Sequence, residues 1–346
     1  MYRYLHLFIL LALTLVCQQV KSQFPIDLVD SSRSEVSFRG LSVVTDKVVW
    51  VSGSKGTVGL SKDAGKSWKW MQISGFEKSD FRDIEGFDKN TAIIMASGTP
   101  AVILKTTDGG NNWKVVFRDN RPEMFLDAMD FWDKKRGMLV GDPINGRFVL
   151  LETTNGGDSW RMLDSTLCPE AHDSEAVFAA SGTSLDCYRR NKIAFVSGGK
   201  ASRLFKSKFP FFDWQTTPTY QMHEATSQGC FSVAYCKWLV GGSLVLTGGD
   251  YLRPDSVSEF QVVYMQPNLR GFSIPNPAYS IGGYRSCIAQ MEKRYLIATG
   301  TNGTDILLNG KWRCISKTGF NVVSKAKKGK TVFLAGSKGR IAKMNY

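Results

Sequence analysis

Between residues 80 and 117 short apolar runs alternate with turn residues. "DFRDIEGF" reads as a short strand, "NTAIIMAS" as a buried strand, "GTP" as a turn and "AVILKTT" as a third strand. "NWKVVF" follows as a fourth. The turn before it, Thr-Asp-Gly-Gly, has residues suited to a tight hairpin. Asp accepts backbone N–H bonds, and glycine reaches positive φ without a Cβ clash. Trp113 then lays a large apolar ring over the hairpin.

The same arrangement recurs. Ser61, Asp63, Gly65 and Trp68 match Thr106, Asp108, Gly110 and Trp113 position for position. Thr153, Asn155, Gly157 and Trp160 match again, with Asn in the Asp place. Worn copies keep Ser207 with Trp214, and Asn309 and Gly310 with Trp312. A tryptophan spacing of roughly 50 residues marks one supersecondary unit repeated along the chain.

Four short strands per unit of this length predict an all-β fold, a β-propeller of seven blades. Six or eight blades stay open, because the fourth and fifth units are irregular. Blade 4 reads as "EAVFAAS", "KIAFVSGG", "SRLFKS" and "DWQTT". The last unit stops after three strands. "QFPIDLV", residues 23 to 29, belongs to no repeat and supplies the missing outer strand, so an N-terminal strand closes the ring.

The three intact boxes resemble the Asp-box, or bacterial neuraminidase, repeat. The longer unit "FLDAMDFWDKKRGMLVGD" with "LLETTNGGDSWRML" resembles blades of the photosystem II stability/assembly factor family and its exported bacterial relatives. That resemblance covers almost all of the chain beyond the leader. It implies that the boxes hold rim turns away from the ligand-binding mouth. It also implies either an assembly role without catalysis or, through sialidases that share the blade, glycoside hydrolysis.

"MYRYLHLFILLALTLVCQQVKSQ" has a basic start, an apolar middle and small or polar residues beyond it, which reads as a secretory signal over residues 1–22. Residues 23–346 then form a single domain, periplasmic or extracellular. Lipid anchoring at Cys17 is disfavoured, because Val16 stands where a small residue is needed. No later segment is long and apolar enough to span a bilayer. Cys168, Cys187, Cys230, Cys236, Cys287 and Cys314 remain, an even number that leads us to expect one or two disulfides in an oxidising compartment.

The formal charge of +13 favours an anionic partner, a solvated basic surface being the bland alternative. Nucleic acid is not expected for an exported chain, and the densest basic run, "SKAKKGK" at residues 324 to 330, reads as a hairpin turn. The partner is expected to be a protein or an anionic glycan, the chain a monomer, and envelope association is left open.

A propeller binds at the mouth formed by the approaches to each first strand and the turns between second and third strands. Those segments carry Arg39, Asp83, Asp127, Asp142, Asn145, Arg147, Glu175, Arg203, Asp250, Tyr251 and Arg285. If the chain is a glycosidase, Glu175, Asp83, Asp127 and Tyr284 are its catalytic candidates, with Arg39, Arg253 and Arg285 for a substrate carboxylate. Otherwise the same polar residues bind a partner, or water and each other. The long loops at 163–175, 216–230 and 251–259 could wall or cover this mouth. With His172 and His223 alone beyond the leader, no metal site is expected, and no motif points to a cofactor.

The leader predicts that protein recovered from its host starts at Gln23. Mass spectrometry of the intact N-terminus checks this, and a chain still carrying Met1 would refute it.

Overall fold

The computed structural model describes residues 24–210, 212–219, 223–239, 242–257, 262–265, 272–273, 281–292 and 295–345. Residues 1–23, which include Cys17 and the expected leader, lie outside them. Seven twisted antiparallel sheets form a seven-bladed propeller. The innermost strands of blades 1 to 7 are Phe38–Val43, Asp80–Gly86, Leu126–Phe131, Leu185–Tyr188, Gln228–Cys236, Cys287–Gln290 and Val322–Lys325. Blade 7 continues through Val332–Ala335 and Ile341–Met344 and takes Ile26–Asp30 as its outer strand. Ile26 pairs with Met344 and Leu28 with Ala342, so the N-terminal strand closes the ring as expected. "SKAKKGK" does form the turn leading into Val332–Ala335, where the Asp46 carboxylate accepts the amides of Lys330 and Thr331.

The core lies between blades. Both faces of each sheet are covered by a neighbour, so the middle strands are apolar throughout instead of alternating. Trp50 of blade 1 packs with Ile84, Ile94 and Leu104 of blade 2. Ile93 and Ile103, on the opposite face of blade 2, pack with Leu126, Leu139 and Leu151 of blade 3.

At the outer rim the three boxes make the same hydrogen bonds. Ser61, Thr106 and Thr153 each donate to the carboxylate or amide oxygen two residues on, at 2.9 Å. The same hydroxyls accept the amides of Gly65, Gly110 and Gly157 at 2.8, 3.0 and 2.9 Å. Those glycines sit at φ 82, 76 and 77 and press on the preceding blade. A Cβ on Gly110 would lie 2.4 Å from Met71 Sδ, and one on Gly157 2.2 Å from Ile93 Cδ1. Lys69 and Lys105 reach forward from blades 1 and 2 to the carbonyls of Gly109 and Gly156. The box is therefore a clamp between consecutive blades.

At the inner rim a second set of clamps works. The amide of Gly86 donates to Ser42 Oγ (3.0 Å), that of Met129 to Asp83 Oδ2 (2.8 Å) and that of Cys187 to Asp130 Oδ2 (2.6 Å). Tyr235 donates to Asp186, Ile288 to Ser232 Oγ (3.0 Å) and Val323 to the Cys287 thiol (3.5 Å). Each bond crosses from one innermost strand to the next. The seventh junction is closed from blade 7, where Asn321 Nδ2 donates to Phe38 O at 2.9 Å.

Two expectations need correction. The innermost strand of blade 4 is Leu185–Tyr188, not "EAVFAAS". Within that run only Glu175–Ala176 is a strand, paired with Gly198–Gly199 at the edge of blade 5. "LDCY" is packed on both faces, Leu185 and Cys187 toward blade 3 and Tyr188 toward blade 5, but it is short and interrupted by Asp186, so its apolar signature is weak. The six cysteines are all free thiols, five of them buried, with Cys230 and Cys236 on one strand, and Cys314 exposed, so no bridge forms.

Asp83→Ala strands the amides of Ile84 and Met129 and should cost about 1–3 kcal/mol in denaturant unfolding. Asp83→Asn retains an acceptor and should cost less. Equal losses for the two would rule out the acceptor as the stabilising element.

Candidate functional site

The two faces differ. The boxes share their face with the turns between first and second strands, as the Ala64 amide on Lys47 O and the Gly109 amide on Asn90 O show. The sequence-derived candidates sit on the other face. Four innermost strands carry a β-bulge there, at Arg39, Arg82, Asp127 and Phe231. A bulge inserts one residue into the pairing and re-aims its side chain. Three charges and an aromatic ring are thereby brought to the channel mouth.

The mouth is not open. Residues 177–183, of which 177–181 were expected to be strand, run across it. Phe178 stacks on Phe231 with centroids 4.0 Å apart. Ala180 O accepts from Arg39 Nη1 at 3.3 Å, and Ser181 Oγ donates to Ser286 O at 2.7 Å. Gly182, at φ +68, lies so close to Asp83 that a Cβ would stand 2.3 Å from its carboxylate. Thr183 meets Ser232 Oγ at 2.7 Å. The crossing segment thus touches blades 1, 2, 5 and 6. Beneath it a cavity of about 310 Å³, lined by Asp83, Glu85, Asp130, Asp186, Lys325 and Lys327 among others, occupies the channel on the box side.

Most candidates have partners within the fold. Glu175 is buried against Arg203 and Ser197 and accepts the His172 amide at 2.9 Å. Arg203 Nε lies 2.8 Å from Glu175 Oε1. Arg285 is buried on Asp305 (2.7 Å) and Asn302 (2.6 Å). Arg147 holds Cys168 O and Glu170, both at 2.7 Å. Arg253 Nε binds Asp250 Oδ2 at 2.9 Å. Burial alone would raise Asp250, but hydrogen bonds led by Arg253 carry its pKa down to about 2. Asn145 stands exposed at a turn tip with φ 51.

Burial shifts the acidity of several groups at this mouth. Burial drives Asp83 well above the usual carboxylate range, against the pull of two amides. Asp127 is fully buried and is raised by that burial and then by Asp142, with Arg82 opposing. Asp142 accepts the Val177 amide at 2.9 Å, so it anchors the start of the crossing segment, and burial lifts its pKa to about 6. Arg39 is pressed down by burial and by Arg82. Tyr284 is 3 % exposed, and burial pushes its phenol up. Its ring packs edge-on to Phe231 at 4.8 Å.

What the face does expose was partly missed by sequence reasoning. Of the candidates, Tyr251 is 46 % exposed, and beside it Leu252 reaches 70 % and Val257 61 %. The Tyr251 ring sits edge-on to both Phe178 and Phe231 at 6.2 Å, which fixes this loop on the crossing segment. A wall over the mouth was expected from 251–259. Its apolar character was legible in Leu252 and Val257, but the crossing segment and Phe178 gave no signal beyond an apolar run.

No protein-family model matches the chain, and no curated protein does. Solved structures do. A structure of YCF48 bound to D1 peptide superimposes with TM-score 0.65 at 14% identity, covering 93% of this chain and 97% of that one. YCF48 from Cyanidioschyzon merolae gives 0.65 at 16%, covering 92% and 98%. A streptogramin B lyase gives 0.66 at 13%, covering 93% and 97%. These likenesses show a β-propeller. At such identities they carry the fold alone, and the propeller's function has to be argued from its own residues.

The Asp142 shift sets the sign of a pH effect. Its folded pKa is raised from 3.8 to about 6, so between those values the native state holds a proton that the unfolded chain has released. Stability from this group therefore falls as pH rises through that window. Asp142→Asn should gain stability relative to wild type at pH 7.5 but not at pH 4. Thermal unfolding at both pH values checks this, and an offset independent of pH would refute it.

Proposed function

We propose that this is an exported, non-catalytic propeller that binds a protein partner at the face bearing the 251–257 loop. The observation that carries the reading is the exposed cluster of Tyr251, Leu252 and Val257, fixed on the aromatic pair Phe178 and Phe231. Exposed aromatic and aliphatic groups on a rigid support are what protein-binding hot spots require, because little ordering entropy is lost on contact. A protein partner is also what the YCF48 structure with its D1 peptide has, on a propeller of the same fold.

The alternative, glycoside hydrolysis of the sialidase type, asks for a carboxylate pair and a tyrosine open to substrate. Glu175 is instead neutralised by Arg203, Asp83 serves two backbone amides, and Tyr284 is buried among aromatic rings. An acidic glycan would look for arginines at this mouth. Arg147, Arg203 and Arg285 are each engaged by an acid of the propeller, which favours a protein over a glycan.

A photo-crosslinking residue at position 252 should trap a discrete protein in the host, whereas one at Lys66, exposed in the box turn of blade 1 on the opposite face, should not. Leu252→Asp with Val257→Asp should abolish recovery of that protein while leaving the circular dichroism spectrum unchanged. Turnover of a fluorogenic sialoside that disappears in Tyr284→Phe would overturn the proposal. Glu175→Gln should lower thermal stability by several degrees through the Arg203 charge it leaves buried.

A further inference from the structure

On blade 4 the strands Lys192–Val196 and Arg203–Lys208 pair with Lys192 opposite Lys208 and Ala194 opposite Lys206. Side chains alternate along a strand, so Lys206 and Lys208 share a face with Leu204. Leu204, Ala194 and Tyr188 pack against Leu244, Leu246 and Val263 of blade 5, so this is the face turned to that blade. Three lysines therefore converge in the cleft between blades 4 and 5. Like charges directly opposite one another in a sheet are destabilising, and nothing in the fold of the strands requires them.

The cleft is a pocket of about 360 Å³ lined by Lys192, Lys206, Lys208, Tyr188, Ser207 and Gln215, with Asp213 at its edge. Lys206 is 9 % exposed, yet among the described residues its ammonium has no hydrogen bond and no ion pair. Asp213 is exposed and forms no salt bridge with it. Burial and then Lys192 depress the Lys206 pKa, while burial, Arg189 and Lys208 depress that of Lys192. The Lys206 ammonium opens into the pocket without a counter-charge, whereas the buried Arg203 is paired with Glu175 and the buried Arg285 with Asp305.

We propose that this pocket binds a compact oxyanion, a phosphate or sulfate group, which supplies the counter-charge that Lys192, Lys206 and Lys208 lack. The volume admits such a group together with a small organic moiety, and the exposed Gln215 amide can donate to it. The group comes either free or as an ester on a small molecule. The site is separate from the 251–257 loop and does not depend on the protein-binding reading.

The test is thermal unfolding and titration calorimetry of the mature protein with sodium phosphate, sodium sulfate and glucose 6-phosphate, against sodium chloride at equal ionic strength. Phosphate or sulfate should raise the unfolding temperature where chloride does not. Lys206→Met should weaken oxyanion binding at least about tenfold. Without ligand the variant should be no less stable than wild type, which a purely structural lysine would not allow. Lys208→Gln provides a second, more exposed substitution should Lys206→Met fold poorly, and should weaken binding several-fold. Lys317→Met serves as the control and should leave binding unchanged. Tighter binding of glucose 6-phosphate than of phosphate assigns an ester, and the reverse assigns the free ion. Stabilisation equal in chloride, or unchanged in both Lys206→Met and Lys208→Gln, would overturn the proposal.

Discussion

The innermost strand of each blade is a sheet edge along all or, in blade 5, most of its length, and the whole propeller depends on how those edges are satisfied. A buried backbone N–H without a partner costs about as much as a lost hydrogen bond. Here the partner comes from the preceding blade, through Ser42, Asp83, Asp130, Asp186, Ser232 and Cys287 in turn. Hydroxyl, carboxyl and thiol share only a lone pair. Burial raises Asp83 and Asp130 well above the usual carboxylate range, so it is the acceptor and not the charge that the position demands. Each bond also sets the rotation of one blade against the next, and the ring closes only if all the rotations agree.

The box turns do the same at the outer rim. Their glycines need positive φ and leave no room for a Cβ against the preceding blade. Inner acceptors and outer boxes therefore hold each blade at two radii, with the apolar core between them. Rigidity at both rims lets the loop face carry irregular features without loosening the fold. The bulges at Arg39, Arg82, Asp127 and Phe231 are such features, and so is the segment across the mouth.

That segment changes the meaning of the polar mouth. A ring of charges over an open channel would suit a small polar ligand. Covered by residues 177–183, the charges instead hold the cover in place, through Arg39 on Ala180 and Asp142 on Val177. The apolar side chains that protrude on this face belong to the loop beside the cover, at Tyr251, Leu252 and Val257. The lysine pocket of blade 4 lies apart from both, on the side of the ring, and is governed by its own unmatched charge.

The repeat, the strand order in the blades other than the fourth, the box turns and the closing strand were legible in the sequence. They rest on local rules: a period of two or a buried run for strands, Asp and Gly for turns, and one spacing repeated. The inner acceptors were not legible, since Ser42, Asp130 and Cys287 have no residue type in common. Blade 4 was misread for a related reason. "EAVFAAS" is as apolar as a strand, but apart from Val177, which joins the core of blades 3 and 4, its burial comes from packing on Phe231 and Tyr284 across the channel. The pairing of Glu175 with Arg203, of Arg285 with Asp305, and the lack of any partner for Lys206 are likewise tertiary facts. Sequence spacing determined which blade each residue occupies, and only the closing of the ring decided which charges meet, because residues far apart in the chain become neighbours solely through the angle between blades.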